Sequence, residues 1–192
     1  MPTPNPQALE FLLSRRSRPA KTLKAPGPDA DALMPILTAA ARTPDHGKLE
    51  PWRFIVLQGD ALTRLAGVAK ERGAALGLDE DKIAKGHDQF ANSPMCVAVI
   101  EVQKDAPKIP PLEQTYSAGA VCLAFLNAAL AAGWGANWLS GWVSHDRGFM
   151  AEALGLADNE RVAGFMHIGT ETSTPPDRPR PDLDAITTWV DA

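Results

Sequence analysis

Cysteine is nearly absent from this 192-residue chain: Cys96 and Cys122 are the only two, each inside an apolar run. That excludes a disulfide framework and makes a buried, reduced thiol the expectation for both. A basic excess is missing too. The formal net charge is −4, which argues against general nucleic-acid binding, where a basic face supplies the affinity. No apolar run reaches the ~20 residues of a membrane span; the longest, residues 118–132, is interrupted by Asn127. The opening Met-Pro-Thr-Pro-Asn-Pro has no basic segment leading into an apolar one, so no secretory signal and a cytoplasmic location are expected.

Several chemistries are missing as well. There is no Gly-x-Ser-x-Gly elbow, and Ser140-Gly141 lacks the strand-turn-helix setting that such a nucleophile needs. Asp45, His46, Glu50, His87 and Asp88 are metal-capable, but their spacing matches neither a closed structural site nor a His-Glu-x-x-His helix. No metal is expected. Gly133-Trp134-Gly135 lacks the third glycine of a dinucleotide fingerprint and follows a helical segment instead of a strand.

What is present is punctuation and periodicity. Asn5-Pro6 reads as a cap followed by proline at the first helical position, opening a helix over residues 6–16. Asp31 is a candidate cap for a second helix carrying Leu33, Ile36, Leu37 and Ala40. That placement suits Pro35 only if it falls in the first turn. Residues 52–57 read as a strand, 61–91 as helical with a break at Gly77-Leu78-Asp79, and 95–102 as a strand buried on both faces. Residues 117–132, apolar nearly all round, predict a helix at the centre of the protein. Residues 133–142 read as a loop, Asp146 as the cap of a helix ending at Leu154, 162–168 as a buried strand and 187–190 as a last strand. With no internal repeat and no linker, the chain reads as one domain, 1–192, with 170–192 as an extended C-terminal arm; packing on another subunit and a disordered terminus are the two readings of that arm.

The segment with the most chemistry is Arg15-Arg16-Ser17, at the end of the first helix. Two guanidinium forks and a hydroxyl suit a phosphate. Basic residues at a helix C-terminus also complement the helix dipole, so the triplet alone admits both readings. Adjacent helical residues point ~100° apart, so both arginines reach one phosphate only where the helix has ended. Arg42-Thr43-Pro44-Asp45-His46 and Arg178-Pro179-Arg180 add further cations, and three tryptophans punctuate a glycine-bearing stretch at 134–142.

Taken in order, Arg15-Arg16-Ser17, Arg42 to His46 running into Glu50-Pro51-Trp52, the apolar helix, Trp138-Leu139-Ser140-Gly141 and Gly164 to Gly169 resemble the nitroreductase family, most of all its small, minimal branch. The resemblance spans essentially the whole chain. It implies an α+β fold, a mixed, mainly antiparallel sheet flanked by helices, in an intertwined homodimer with flavin mononucleotide (FMN) at the subunit interface. It further implies that Arg15, Arg16 and Ser17 hold the FMN phosphate and ribityl chain, with Arg180 nearby and Arg178 as a second candidate there. Trp138, Leu139 and Ser140 would run along the ring, and Arg42 and His46 would reach it from the partner. The implied activity is NAD(P)H oxidation, with NADH or NADPH as reductant and ping-pong hydride transfer through flavin N5 to an electron-poor acceptor such as a nitroaromatic or quinone; no side chain need act as general acid, since water can supply protons, and His46 is the one candidate. The alternative is a flavin- or small-ligand-binding regulatory protein with little turnover. The larger relatives' Ser, Asn and Gln before Pro-Trp are replaced here by Asp45, Lys48 and Glu50, and the position two after Ser17 is Pro19, between Arg18 and Lys21. The cation near flavin N1 is therefore open.

Overall fold

The structure, a computed structural model, describes residues 3–191. Its elements run α1 (Pro6–Ser14), β1 (Leu23–Lys24), α2 (Ala30–Ala40), β2 (Trp52–Leu57), α3 (Asp60–Ala75), α4 (Glu80–Ala91), β3 (Cys96–Val102), α5 (Pro111–Ala131), β4 (Gly135–Leu139), α6 (Arg147–Leu154), β5 (Glu160–Glu171) and α7 (Leu183–Ile186). Asn5, Asp29, Asp79 and Asp146 cap α1, α2, α4 and α6 by accepting from backbone amides three residues on, which supplies donors that a helix start leaves unpaired.

The sheet is built around β5. Its residues 160–167 pair with β3, residues 165–169 pair on the other edge with β4, and Thr170 and Glu171 pair with β1; β2 closes the far side against β3. Every pairing among the described residues is antiparallel. Helices cover both faces. Cys96, Ala98 and Ile100 of β3 join a core with α3, α4 and α6, whereas Val97 and Val99 join one with α2 and α5. Side chains alternate across a strand, so an unbroken apolar run is what a strand between two helical layers requires. Both cysteines are buried and unpaired; burial pushes both thiols up, Cys122 to about 12.

Several expectations need correction. Asp29, not Asp31, caps α2, so Pro35 lies in the sixth helical position, beyond the first turn. It is tolerated on an exposed face. The stretch at 133–142 contains a strand, β4, because Gly135 to Leu139 lie against Gly169 to Phe165 of β5. The expected strand at 187–190 is absent: those residues are exposed and unpaired with the sheet. α5 begins at Pro111 and is not enclosed. Its face with Ser117, Val121, Phe125 and Ala129 is buried, while Leu112, Tyr116 and Leu123 are exposed.

Two buried groups make the fold testable. Phe90 lies between Phe149 and Phe165, with ring centroids at 5.7 and 5.0 Å. Phe90→Ala is expected to cost about 3–5 kcal/mol in urea unfolding. Glu101, 2% exposed, takes two hydrogen bonds from Arg161 and others from Thr115 and Gln103. Burial pushes its pKa up, but these bonds outweigh burial and hold it below the usual range. A depressed carboxylate adds stability that is full above ~pH 4.3 and is lost as pH falls through the folded pKa. Glu101→Gln should therefore cost about 1–3 kcal/mol at pH 7, with the gap to the parent closing under acid. A gap that does not change with pH contradicts this.

Candidate functional site

α1 ends at Ser14. Arg15 donates its amide to the Phe11 carbonyl at 2.7 Å, then turns extended with ψ 149°. The helix has thus stopped before the two arginines, and the ~100° rule no longer separates them. The chain that follows is fastened along the outer side of β4. The Arg18 amide donates to the Ala136 carbonyl at 2.8 Å, and the Asn137 side chain donates to the Arg18 carbonyl at 2.6 Å. Arg18 itself is occupied, its Nε donating to Glu171 at 2.8 Å.

This arrangement opens a cavity of about 650 Å³ lined by Arg15, Arg16, Ser17, Lys21, Asn137 and Leu139, with Arg178 and Arg180 of the tail on its wall. Among the described residues no carboxylate lines it, though Arg180 pairs with Asp177 at 3.0 Å. Arg15 Nη2 donates only a long bond, 3.4 Å, to Ser17 Oγ. Arg15 Nε and Arg16 Nη1 are buried with no partner. Burial, then Arg180 and Arg18 nearby, push the Arg15 pKa down. Buried donors without acceptors and like charges held together are both unfavourable, and an anion in the cavity relieves both at once. The dipole reading gives no reason for a cavity and no reason for Arg178 and Arg180 to converge on it.

By contrast, the groove of about 460 Å³ at the opposite end of β5 is also rich in charge. There Arg161 is paired with Glu101, Glu160 with Arg53 at 2.7 Å, and Arg147 donates to two carbonyls. Its cations are satisfied.

The other sequence-derived candidates are placed as follows. Leu139 lines the arginine cavity, whereas the Trp138 side chain, one position back on the strand, points to the other sheet face and packs on Gly164. Ser140 is exposed at the end of β4. Arg42 is exposed after α2, and His46 pairs through Nδ1 with Glu113 of α5 at 2.6 Å; neither lines the arginine cavity of its own chain. The loop holding His46 is strained: Gly47, Lys48 and Glu50 have φ of 74°, 53° and 49°, and the two non-glycines sit in a region L-residues avoid. Asp45 steadies it by accepting from the Glu50 amide at 3.2 Å. Sequence reasoning missed Asn137, hidden in a stretch read as loop. It also gave no role to Gln89 and His167, which line a second cavity of about 370 Å³ sharing Ala20, Lys21 and Leu139 with the first.

This fold recurs in known proteins. Residues 12–170 match the Nitroreductase family. The chain is 34% identical over 163 residues to Escherichia coli YdjA, a candidate NAD(P)H nitroreductase, covering 85% of this chain and 87% of that one. It is 36% identical over 165 residues to a Haemophilus influenzae protein described in the same way, covering 85% and 88%. A nitroreductase-like family protein of Bacillus cereus superimposes with a TM-score of 0.81 at 23% identity over the whole of both chains. A Desulfovibrio desulfuricans structure in complex with FMN does so at 0.76 and 19%, covering 98% and 99%. The chain belongs to the nitroreductase family and has its α+β fold.

The unpaired arginines give a direct test. Arg15→Met keeps the alkyl stem and removes the charge. At low salt without anions its melting temperature should equal or exceed the parent's, because like-charge repulsion is relieved. Adding inorganic phosphate should then raise the parent's melting temperature more than the variant's. An equal rise in both would place the anion elsewhere.

Proposed function

We propose that this protein is an FMN-dependent NAD(P)H oxidoreductase of the nitroreductase type. The observation that carries the reading is the pair of buried, unpartnered guanidinium atoms, Arg15 Nε and Arg16 Nη1, in a cavity whose wall, among the described residues, holds five cations and no carboxylate. A phosphate dianion matches that donor set in charge and geometry. The FMN bound in the Desulfovibrio relative supports the choice of ligand, and so do the NAD(P)H nitroreductase descriptions of the sequence relatives.

Arg15, Arg16 and Ser17 would hold the phosphate, with Arg180 and Arg178 closing over it. Ser17 keeps a hydroxyl for a phosphate oxygen, since its only side-chain contact is the long bond from Arg15. The end of β4, with Trp138, Leu139 and Ser140, would bring backbone to the ring, and Leu139 supplies an apolar wall that excludes water. FMN bound there would supply hydride chemistry, accepting at N5 from NADH or NADPH and passing on to an electron-poor acceptor such as a nitroaromatic or quinone, in ping-pong turnover.

We also propose that the working form is a homodimer of this single domain, 1–192, in the cytoplasm, with residues 170–192 as an arm and Arg42 and His46 reaching the partner's flavin. The surfaces support a second copy. α1 buries no residue and exposes Leu9, Leu12 and Leu13, and the tail exposes Trp189 at 90% and Val190 at 81%. With Leu112, Tyr116 and Leu123 of α5 they leave more apolar area in water than isolated surface residues account for.

The purified protein is expected to be yellow, or to become so with FMN. Its visible absorbance should bleach on anaerobic titration with NADH or NADPH and return when a quinone is added. Flavin bound but reduced by neither nucleotide would favour a binding or regulatory role; a chain that takes up no FMN would overturn the proposal.

A further inference from the structure

The cavity of about 370 Å³ beside the arginine pocket is walled by α4, the residues after it, Leu139 and β5. Two of its side chains have a buried atom without a partner: Gln89 Oε1 and His167 Nε2. The amide orientation of Gln89 follows from its Nε2, which donates to the Gly86 carbonyl at 3.4 Å and leaves the oxygen unused. The imidazole is fixed through Ser93. Ser93 Oγ lies 2.9 Å from the Met95 carbonyl oxygen and 2.8 Å from His167 Nδ1. Two oxygens at that separation require a hydrogen between them, and only the hydroxyl carries one. Ser93 therefore donates to Met95 and accepts from His167 Nδ1–H, so Nε2 bears a lone pair. His167 is 1% exposed, and burial pushes its pKa down to about 4, so it stays neutral.

The wall thus presents two buried acceptors that no donor among the described residues satisfies, which is costly unless a ligand brings the donor. Lys21 and Lys85 also line the cavity, against the single carboxylate of Asp88. Two lysines disfavour a cationic donor. They favour a neutral N–H flanked by carbonyl oxygens, the pattern of an imide. Because Ala20, Lys21 and Leu139 border both cavities, a ligand anchored by its phosphate in the first extends into the second.

We propose that Gln89 and His167 receive the imide N3–H of the flavin ring, with Lys21 and Lys85 beside the carbonyls that flank it. Ser93 is the positioning residue that sets the histidine tautomer. This assignment rests on FMN being the ligand of the arginine pocket. It makes the pocket selective for a flavin that carries a hydrogen at N3.

The test compares FMN with 3-methyl-FMN, which lacks that hydrogen, by quenching of flavin fluorescence in the absence of nicotinamide. The parent is expected to bind 3-methyl-FMN at least about tenfold more weakly, the scale of one lost hydrogen bond. Gln89→Leu and His167→Phe should each weaken FMN and bring the ratio toward one. Should either variant fold poorly, 15N-labelled FMN on the parent gives the same information: its N3–H should exchange with solvent more slowly when bound. Equal affinity for the two flavins, or an unprotected N3–H, overturns the assignment while leaving FMN as the ligand. A chain that binds neither flavin overturns both.

Discussion

The pairing of β5 with three other strands is the constraint on which the rest of the molecule depends. One edge of this twelve-residue strand holds β3, the other holds β4, and its end holds β1. Both cores form on its two faces: Phe165 enters one, Met166 and Ile168 the other. The same strand also places the site. β4 is present only because β5 offers it an edge, and β4 in turn gives residues 16–18 a rail to lie along. His167 stands on β5 itself, and Glu171 at its end holds Arg18 away from the cavity. The candidate site is therefore assembled from the sheet outward, and its loops inherit their positions from strand register.

Charge gives the site its character. Elsewhere the chain neutralises its own charges, as where Arg161 pairs with the buried Glu101 or Arg72 with the half-buried Asp146. A buried charge without its partner is unfavourable by several kcal/mol, so an unpaired guanidinium is tolerated where a ligand completes it. The arginine cavity departs from the rule in this one respect, and beside it the Gln89 and His167 acceptors are unsatisfied in the opposite sense. Donors that lack acceptors next to acceptors that lack donors describe a ligand with an anionic end and an N–H-bearing end. An extended cofactor with a phosphate and an imide fits both.

Much of the fold was legible in the residues because local rules and tertiary packing agree there. The cap at Asn5, the break at Gly77, the two-faced strand β3 and the helix from Asp146 each follow from residue type and period. Disagreement arose where tertiary placement, not local sequence, decides. Gly135 to Leu139 has weak strand character, and only pairing with β5 makes it a strand. The all-round apolar α5 mimics a central helix, yet one of its faces is exposed. The arginines were legible from chemistry as candidates for holding an anion. Gln89 and His167 were not, since nothing in their neighbours along the chain shows that a sheet edge and α4 meet at one cavity.

The central claim is that Arg15 and Arg16 are left unpaired because a flavin's phosphate completes them. The most direct measurement compares binding of FMN and riboflavin, which differ only in that phosphate, by isothermal titration of the parent and of Arg15→Met. The parent should prefer FMN by about a hundredfold or more, the scale of one or two charge-assisted hydrogen bonds, and the variant should lose most of that preference. Equal affinity of the parent for FMN and riboflavin would contradict the account.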